Sequence, residues 1–193
     1  MADITPVAGL LIAYLLGSLP TALLVCHCMG ITDPRQQGSG NPGATNVLRI
    51  GGPVAAALTL LGDMGKGLLA VAICVWLELS LQMQAAAGIL AITGHIFPLF
   101  NRFQGGKGVA TMLGSCLLLD YRLGLLQCFI WILLALFRRI SSMAALAMAL
   151  FSPALCWLIN PELLPAVSMM GLMIIATHHQ NIKKLLSGDE QQL

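Results

Sequence analysis

Seven apolar runs occupy most of this sequence and limit what it can fold into. Of the 193 residues, 58% are apolar and only 9% are charged, whereas a soluble domain is nearer a quarter charged. This composition excludes an ordinary globular protein, a disordered chain and a free nucleic-acid binder. Because a spanning helix needs about 20 residues, seven spans leave no room for an independent soluble domain. The sequence therefore predicts one all-α, polytopic membrane domain.

The apolar runs place the spans along the chain. The first run follows no basic leader and is long enough to span, so we expect a retained helix instead of a removable signal peptide. The fourth and fifth runs are short and separated by three residues, which predicts a tight hairpin that either crosses the membrane twice or re-enters it. Within one domain of residues 1–193, the expected spans are about 4–26, 53–77, 84–100, 107–120, 122–137, 141–159 and 163–179.

The basic residues sort to one side of this seven-span arrangement. Arg122 lies on the opposite side and Lys66 lies within a span. The other eight of the ten basic residues share one side: Arg35, Arg49, Arg102, Lys107, Arg138, Arg139, Lys183 and Lys184. The opposite side carries the acidic residues Asp3, Glu78, Asp120 and Glu162. The positive-inside rule makes the basic side cytoplasmic, so the N-terminus is expected outside and the C-terminus inside.

The first polar segment is Gly38-Ser39-Gly40-Asn41-Pro42-Gly43-Ala44-Thr45-Asn46, followed by Arg49. Repeated glycines let successive backbone N–H groups turn toward one point, which makes an anion-binding nest. Ser39, Thr45 and Asn46 add side-chain donors, and a guanidinium can pair with two phosphate oxygens. A flexible turn is the alternative, because Gly, Ser and Asn are common loop residues.

The second segment, Gly105-Gly106-Lys107-Gly108-Val109-Ala110-Thr111, opens the fourth span. Unpaired N–H groups and the helix dipole at a helix N-terminus favour an anion. Lys107 adds charge here, or serves only to orient the span. A nucleotide-binding phosphate loop needs a glycine five residues before the Gly-Lys pair, and Asn101 stands there, so ATP or GTP hydrolysis has no support.

The third segment runs from His178 to Glu190 and follows the seventh span. His178 and Asn181 are three positions apart and so share one helix face. A histidine at this point can bind phosphate or accept a proton near neutral pH. The alternative is a polar cap with basic anchors at the membrane interface.

Three ionisable residues fall inside spans, where charge is costly and usually faces the bundle interior. Asp63 and Lys66 are three apart and can neutralise one another as a structural pair, and His95 can be a satisfied buried histidine. The alternative makes all three a wall of the functional site. Cys26-x-Cys28 with His27 lacks a partner pair, so we expect no zinc, no other metal and no cofactor.

Four segments carry a resemblance to a known family. GSGNPGATN, GDMGKG, GGKGVAT and HHQNIKKLLSGDE resemble, in order, motifs of the bacterial acyl-phosphate:glycerol-3-phosphate acyltransferase family of the PlsY type. The resemblance implies a seven-helix bundle in the inner membrane with its site facing the cytoplasm. It also implies transfer of an acyl group from acyl phosphate to the 1-hydroxyl of glycerol 3-phosphate, giving lysophosphatidic acid and phosphate, as the first acylation of phospholipid synthesis.

The resemblance also implies roles for single residues. Catalytic roles fall to Ser39, Arg49, Lys107, His178 and Asn181. Phosphate or substrate binding falls to Gly38, Gly40, Asn41, Gly43, Thr45, Asn46, Gly105, Gly106, Gly108 and Thr111. The third segment departs from the family at two positions: His179 and Lys184 stand where arginine is usual or frequent. A lysine ammonium cannot form the two parallel hydrogen bonds that the planar guanidinium of arginine makes to a phosphate.

Acyl phosphate is an activated anhydride with a stable leaving group, so placement and charge stabilisation should suffice for direct transfer. The chain has no His-x-x-x-x-Asp pair of the kind that other acyltransferases use as a base. Ser39 as a covalent nucleophile is an alternative with no base beside it in sequence. From other classes, the alternatives are a phosphate-ester transporter and a non-catalytic lipid-binding protein. The expected partners are the two substrates and the bilayer.

Overall fold

A computed structural model describes residues 4–192, and these residues form helices with no strand among them. The predicted outer residue Asp3 lies outside the described residues. The helices are α1 Thr5–Gly17, α2 Thr21–Cys28, α3 Ala44–Trp76, α4 Leu81–Ile96, α5 Val109–Leu119, α6 Tyr121–Arg138, α7 Ser141–Ile159, α8 Leu164–Thr177 and α9 His179–Ser187. Short 3₁₀ turns at Leu99–Asn101 and Pro161–Leu163 precede α5 and α8. The all-helical expectation is confirmed.

Four helices in the described part of the chain are each long and apolar enough to cross a membrane: α3, the α4 region to Asn101, α6 and α7. The number rises to six if α1 with α2, bent by 42°, and the α8 region with α9, bent by 59°, each count as one span. Large apolar side chains cover the outer faces of these helices, Leu61, Phe129 and Leu158 among them. Exposed apolar surface on this scale suits lipid as the surrounding solvent.

Helix α5 has only 11 residues, about 16 Å of rise, which is short for a span. It is nevertheless the most enclosed helix, because most of its side chains are buried, Met112 and Cys116 completely. Its neighbours contribute Ile92, Met148 and Met170 to the same core. An apolar helix that is buried all round occupies the centre of a bundle.

Close backbone approaches bring the helices around this centre together. A Cβ on Gly17 would overlap the Ala91 carbonyl between α1 and α4, and one on Gly114 would overlap the Met64 carbonyl between α5 and α3. Small residues at such positions let helices pack at short range in membranes.

Among the differences between the observed helices and the predicted spans, three have a clear cause in the backbone. The first predicted span is broken at residues 18–20, where Pro20 cannot donate a helical hydrogen bond. In the second, a helical segment of residues 44–51 precedes the predicted start, and Gly52 with φ 79° is a non-helical break within α3 directly before Pro53. The fourth begins after Gly108, whose φ is 86°, so Lys107 lies before α5 and outside it. The polar loops nevertheless gather at one end of the bundle.

Candidate active site

A cavity of about 540 Å³ opens at the end of the bundle where the polar loops meet. Polar side chains line its mouth: Ser39, Asn41, Thr45, Arg49, Lys107, Ser141, Ser142, His178, Asn181, Lys184 and Glu190. Apolar side chains of α3, α5 and α6 line its inner walls: Ala56, Ala57, Leu60, Met64, Leu113, Cys128, Trp131 and Ile132. The cavity therefore joins a charged mouth to an apolar interior.

Asn46 holds the first polar loop in shape. Its side chain is 1% exposed, and its Oδ1 accepts a hydrogen bond from the Ser39 N–H at 2.8 Å. Its Nδ2 donates to the carbonyls of Pro34 and Gln37 at 2.7 and 2.9 Å. Because both amide hydrogens are engaged within the protein, this side chain positions the loop instead of offering a free donor to a ligand.

Two glycines of the same loop have left-handed backbone conformations, Gly38 with φ 65° and Gly40 with φ 72°. A Cβ on Gly38 would collide with Asn46 Oδ1. Neither glycine lines the cavity, whereas Ser39, Asn41 and Gly43 do. The glycines thus shape the turn that presents its neighbours to the cavity.

Arg49 lies at the cavity mouth on the first turns of α3. Its Nη2 donates to the backbone carbonyls of Gln191 and Gln192 at 3.3 and 3.0 Å. Neutral carbonyls are weak partners for a guanidinium compared with an anion. The side chain is exposed and so remains open to a charged ligand.

Lys107 and the segment after α8 meet across the mouth. Lys107 Nζ donates to Asn181 Oδ1 at 2.5 Å, and Asn181 Nδ2 donates to Glu190 Oε1 at 2.6 Å. Ser142 Oγ also donates to Glu190 Oε1 at 2.6 Å. Burial lowers the pKa of Lys107 below its ordinary value of 10.5, and nearby Glu190 opposes that shift.

His178 lies between α8 and α9 with 3% of its surface exposed. Its Nδ1 donates to the Ile174 carbonyl at 2.7 Å, since a carbonyl only accepts. Nε2 is then the ring atom that remains for another partner. His178 lines the same cavity as Lys107 and Asn181.

The second motif divides between the cavity and the protein interior. Lys107 and Gly108 line the cavity, whereas Gly105, Gly106 and Thr111 do not. The Gly106 N–H donates to the His95 carbonyl at 3.1 Å. Thr111 is fully buried, and its Oγ1 lies 3.3 Å from His95 Nδ1.

The ionisable residues predicted inside spans form one buried cluster. Lys66 Nζ lies 3.0 Å from Asp63 Oδ1, and His95 Nδ1 lies 3.4 Å from the same oxygen. The hydroxyl of Thr21 also donates to Asp63 Oδ1. Asp63 and His95 line the large cavity, but Lys66 does not and lines instead a neighbouring cavity of about 20 Å³.

Five polar residues that line the cavity were not among the predicted site residues: Ser141, Ser142, Lys184, Glu190 and Gln191. Thr45 Oγ1 and Ser141 Oγ lie 2.8 Å apart, which joins the start of α3 to the start of α7. Glu190 belongs to the third motif and could have been found there, whereas two serines at a helix start carry no signal of their own. Within residues 4–192, no three His, Cys, Asp or Glu side chains gather as metal ligands.

Comparisons with known proteins give a consistent result. The family model described as glycerol-3-phosphate acyltransferase matches residues 7–188. The chain is 47% identical over 192 residues to a glycerol-3-phosphate acyltransferase of Methylococcus capsulatus, with 97% of both chains covered. It is 48% identical over 189 residues to one of Ralstonia pickettii, covering 95% of this chain and 91% of the relative.

Solved structures agree with these relatives. The fold is similar to the crystal structure of PlsY (YgiH), an integral membrane glycerol 3-phosphate acyltransferase, in its glycerol 3-phosphate form. The TM-score is 0.91 at 31% identity, with 97% of this chain and 95% of that chain covered. The lysophosphatidic acid form of the same protein matches with a TM-score of 0.90 at 30% identity.

Proposed function

The chain belongs to the glycerol-3-phosphate acyltransferase family, and we propose that its acyl donor is an acyl phosphate and its acceptor the 1-hydroxyl of glycerol 3-phosphate. The products are lysophosphatidic acid and inorganic phosphate. One observation carries this proposal: the cavity places a cationic mouth, with Arg49 and Lys107, directly against apolar walls. A ligand that suits both parts has a phosphate at one end and a hydrocarbon chain at the other.

The charged mouth suits two phosphate groups. Arg49 pairs with phosphate oxygens through its planar guanidinium, and Lys107 adds a second positive charge. Ser39 and Thr45 supply hydroxyl donors, and Asn41, Gly43 and Gly108 line the same mouth. The carbonyls that hold Arg49 are readily exchanged for an anion, because a charge-assisted bond is the stronger one.

The apolar walls suit the acyl chain. Ala56 and Leu60 of α3, Cys128 and Trp131 of α6 and Leu113 of α5 all line the cavity. Burial of a hydrocarbon chain among such side chains is favourable by about 0.8 kcal/mol per methylene group. The reacting carbonyl then lies where the apolar walls meet the cationic mouth.

The reaction needs no acyl-enzyme. The glycerol 3-phosphate hydroxyl oxygen forms a bond to the carbonyl carbon, and the bond from that carbon to the phosphate oxygen breaks. The phosphate leaves with the electron pair and takes the hydroxyl proton. Lys107 and Arg49 stabilise the charge that develops, and Nε2 of His178, with its ring fixed through Ile174, orients the acceptor.

We further propose that the chain is a single membrane domain with seven spans. These are α1 with α2, α3, α4, the short central α5, α6, α7 and α8. With eight basic residues at the cavity end of the bundle, the positive-inside rule makes that end cytoplasmic and puts the N-terminus outside. The membrane is then the bacterial inner membrane. Reporter tags that placed both termini on one side would overturn this topology.

The donor is tested with purified protein and glycerol 3-phosphate. Acyl transfer from acyl phosphate is compared with transfer from acyl-CoA and from acyl carrier protein. We expect turnover with acyl phosphate and little with the two thioesters. Efficient use of either thioester, or an acylated protein trapped by rapid quenching, would contradict the proposal.

A further inference from the structure

The buried cluster around Asp63 contains one more ionisable side chain than is needed to balance its charge. Lys66 alone neutralises Asp63 at 3.0 Å, and it also donates to the Leu19 carbonyl at 3.0 Å, where α1 ends. A buried ion pair of this kind can be replaced by apolar side chains at little cost in stability. His95 adds nothing to the charge balance, yet its ring contacts the same carboxylate oxygen.

The position of His95 connects this cluster to Lys107. Its Nδ1 faces Asp63 Oδ1 at 3.4 Å and Thr111 Oγ1 at 3.3 Å. Its Nε2 lies against Gly106, where any Cβ would collide with it. Its carbonyl accepts the Gly106 N–H at 3.1 Å. The residue therefore contacts the loop before Lys107 through both its ring and its backbone.

Lys107 itself is held from the other side. Its carbonyl accepts a hydrogen bond from Thr177 Oγ1 at 3.1 Å, at the end of α8. The direction of its side chain is then set by two supports, one on α4 and one on α8. Since a carboxylate only accepts hydrogen bonds, the Asp63 oxygen at 3.4 Å favours a proton on His95 Nδ1 and with it this orientation of the ring.

We infer that Asp63 and His95 are positioning residues that orient the Gly105–Lys107 loop and thereby place the Lys107 ammonium in the cavity. This inference rests on the proposed function, in which Lys107 binds a substrate phosphate. A displacement of about 1 Å at such a group can cost about 100-fold in rate. In this inference the cluster acts on the reaction through the loop, although Asp63 and His95 also line the cavity.

Two double variants separate positioning from charge balance. D63L/K66M removes both charges and the oxygen that accepts from His95, whereas D63N/K66M removes both charges but keeps an accepting oxygen. We expect both to insert with similar thermal midpoints. We expect D63L/K66M to lose about tenfold or more in kcat/KM for glycerol 3-phosphate, with KM raised, and D63N/K66M to recover most of that loss. Equal activity of the two variants would overturn the inference.

The control removes a buried polar pair elsewhere. Gln127 Nε2 donates to Ser152 Oγ at 2.9 Å between α6 and α7, and neither residue lines the cavity. Q127L/S152A should keep the kcat and KM of the unmodified protein. If D63L/K66M fails to insert, His95→Asn is compared with His95→Leu, and equal activity of these two would again overturn the inference. Failure of the unmodified protein to use acyl phosphate would instead refute the proposed donor.

Discussion

The ammonium of Lys107 lies 2.5 Å from the amide oxygen of Asn181, and this bond connects the loop before α5 to α9. Asn181 passes the connection on to Glu190, which also accepts from Ser142 at the start of α7. A series of hydrogen bonds therefore joins three parts of the chain, with the Lys107 cation at one end. The hydrogen bond to Asn181 holds the Lys107 ammonium in place, and an anion that binds Lys107 either displaces Asn181 or adds to this series of hydrogen bonds.

Replacing Lys107 with alanine should reduce acyl transfer by about 100-fold or more, because the transition state loses one of the two positive charges that Lys107 and Arg49 supply in the proposed mechanism. The measurement is kcat/KM on purified protein, with membrane insertion checked separately. Lys183→Ala is the matched control, since Lys183 is exposed on α9 and does not line the cavity. Comparable losses in both variants would show that general surface charge matters and not this site.

The rate should fall on the alkaline side as Lys107 loses its proton. Burial holds the pKa of Lys107 below 10.5, so the protonated form, which we propose binds phosphate, is lost at a lower pH than for an ordinary lysine. A profile of kcat/KM against pH measures this limb. Lys107→Arg should move the limb to higher pH at a reduced maximum, because a guanidinium keeps its proton. An unchanged limb in that variant would assign it to another group.

A bulkier side chain on the inner wall of the cavity should shift the preference of the protein toward shorter acyl chains. Cys128→Phe adds volume on the cavity side of α6, so we expect activity with long acyl phosphates to fall relative to short ones. Competition between donors of different length measures the ratio. Leu125→Phe on the same helix is the control, since Leu125 is exposed on the outer face and does not line the cavity. A preference that stays the same in Cys128→Phe would place the acyl chain elsewhere.

Close packing between α3 and α5 should make Gly114 intolerant of a side chain. A Cβ there overlaps the Met64 carbonyl, and overpacking of this kind costs about 1–3 kcal/mol. Gly65→Ala is the matched control on α3, because no atom lies within 4 Å of its added Cβ and alanine favours the helix. Thermal midpoints in detergent should fall for Gly114→Ala and stay level or rise for Gly65→Ala. The reverse order would contradict the packing of these helices.

Helices were predictable from the sequence wherever a long apolar run ended at a clear polar boundary. Helix α7 has the bounds expected for its span, Ser141 to Ile159. The observed helices depart from the predicted spans where a proline or a glycine interrupts a helix. Pro20 divides the first span, and Gly52 separates the predicted second span from an additional helical segment of residues 44–51 near the first motif. Both residues were visible, but their effect depends on packing that a single sequence does not contain.

The mouth of the candidate site was largely predictable because its residues belong to compact motifs. Ser39, Arg49, Lys107, His178 and Asn181 all line one cavity, although they come from three separate segments. The sequence did not show which motif residues line the cavity and which only hold the surrounding protein in shape. Asn46 donates its amide hydrogens to loop carbonyls, and Thr111 faces His95 instead of the cavity. Such roles depend on which helices are neighbours, and residues distant in sequence decide that.

The connection of Thr45 to Ser141 and of Lys107 to Asn181 has a consequence for biogenesis. The cavity mouth draws on the first loop, the middle of the chain and the segment after α8. While the ribosome is still inserting α7, the nascent protein holds Arg49 and Lys107 in the membrane but lacks His178 and Asn181. The cavity is therefore completed only when α8 and α9 have been synthesised, and a chain arrested before that point lacks one side of the mouth.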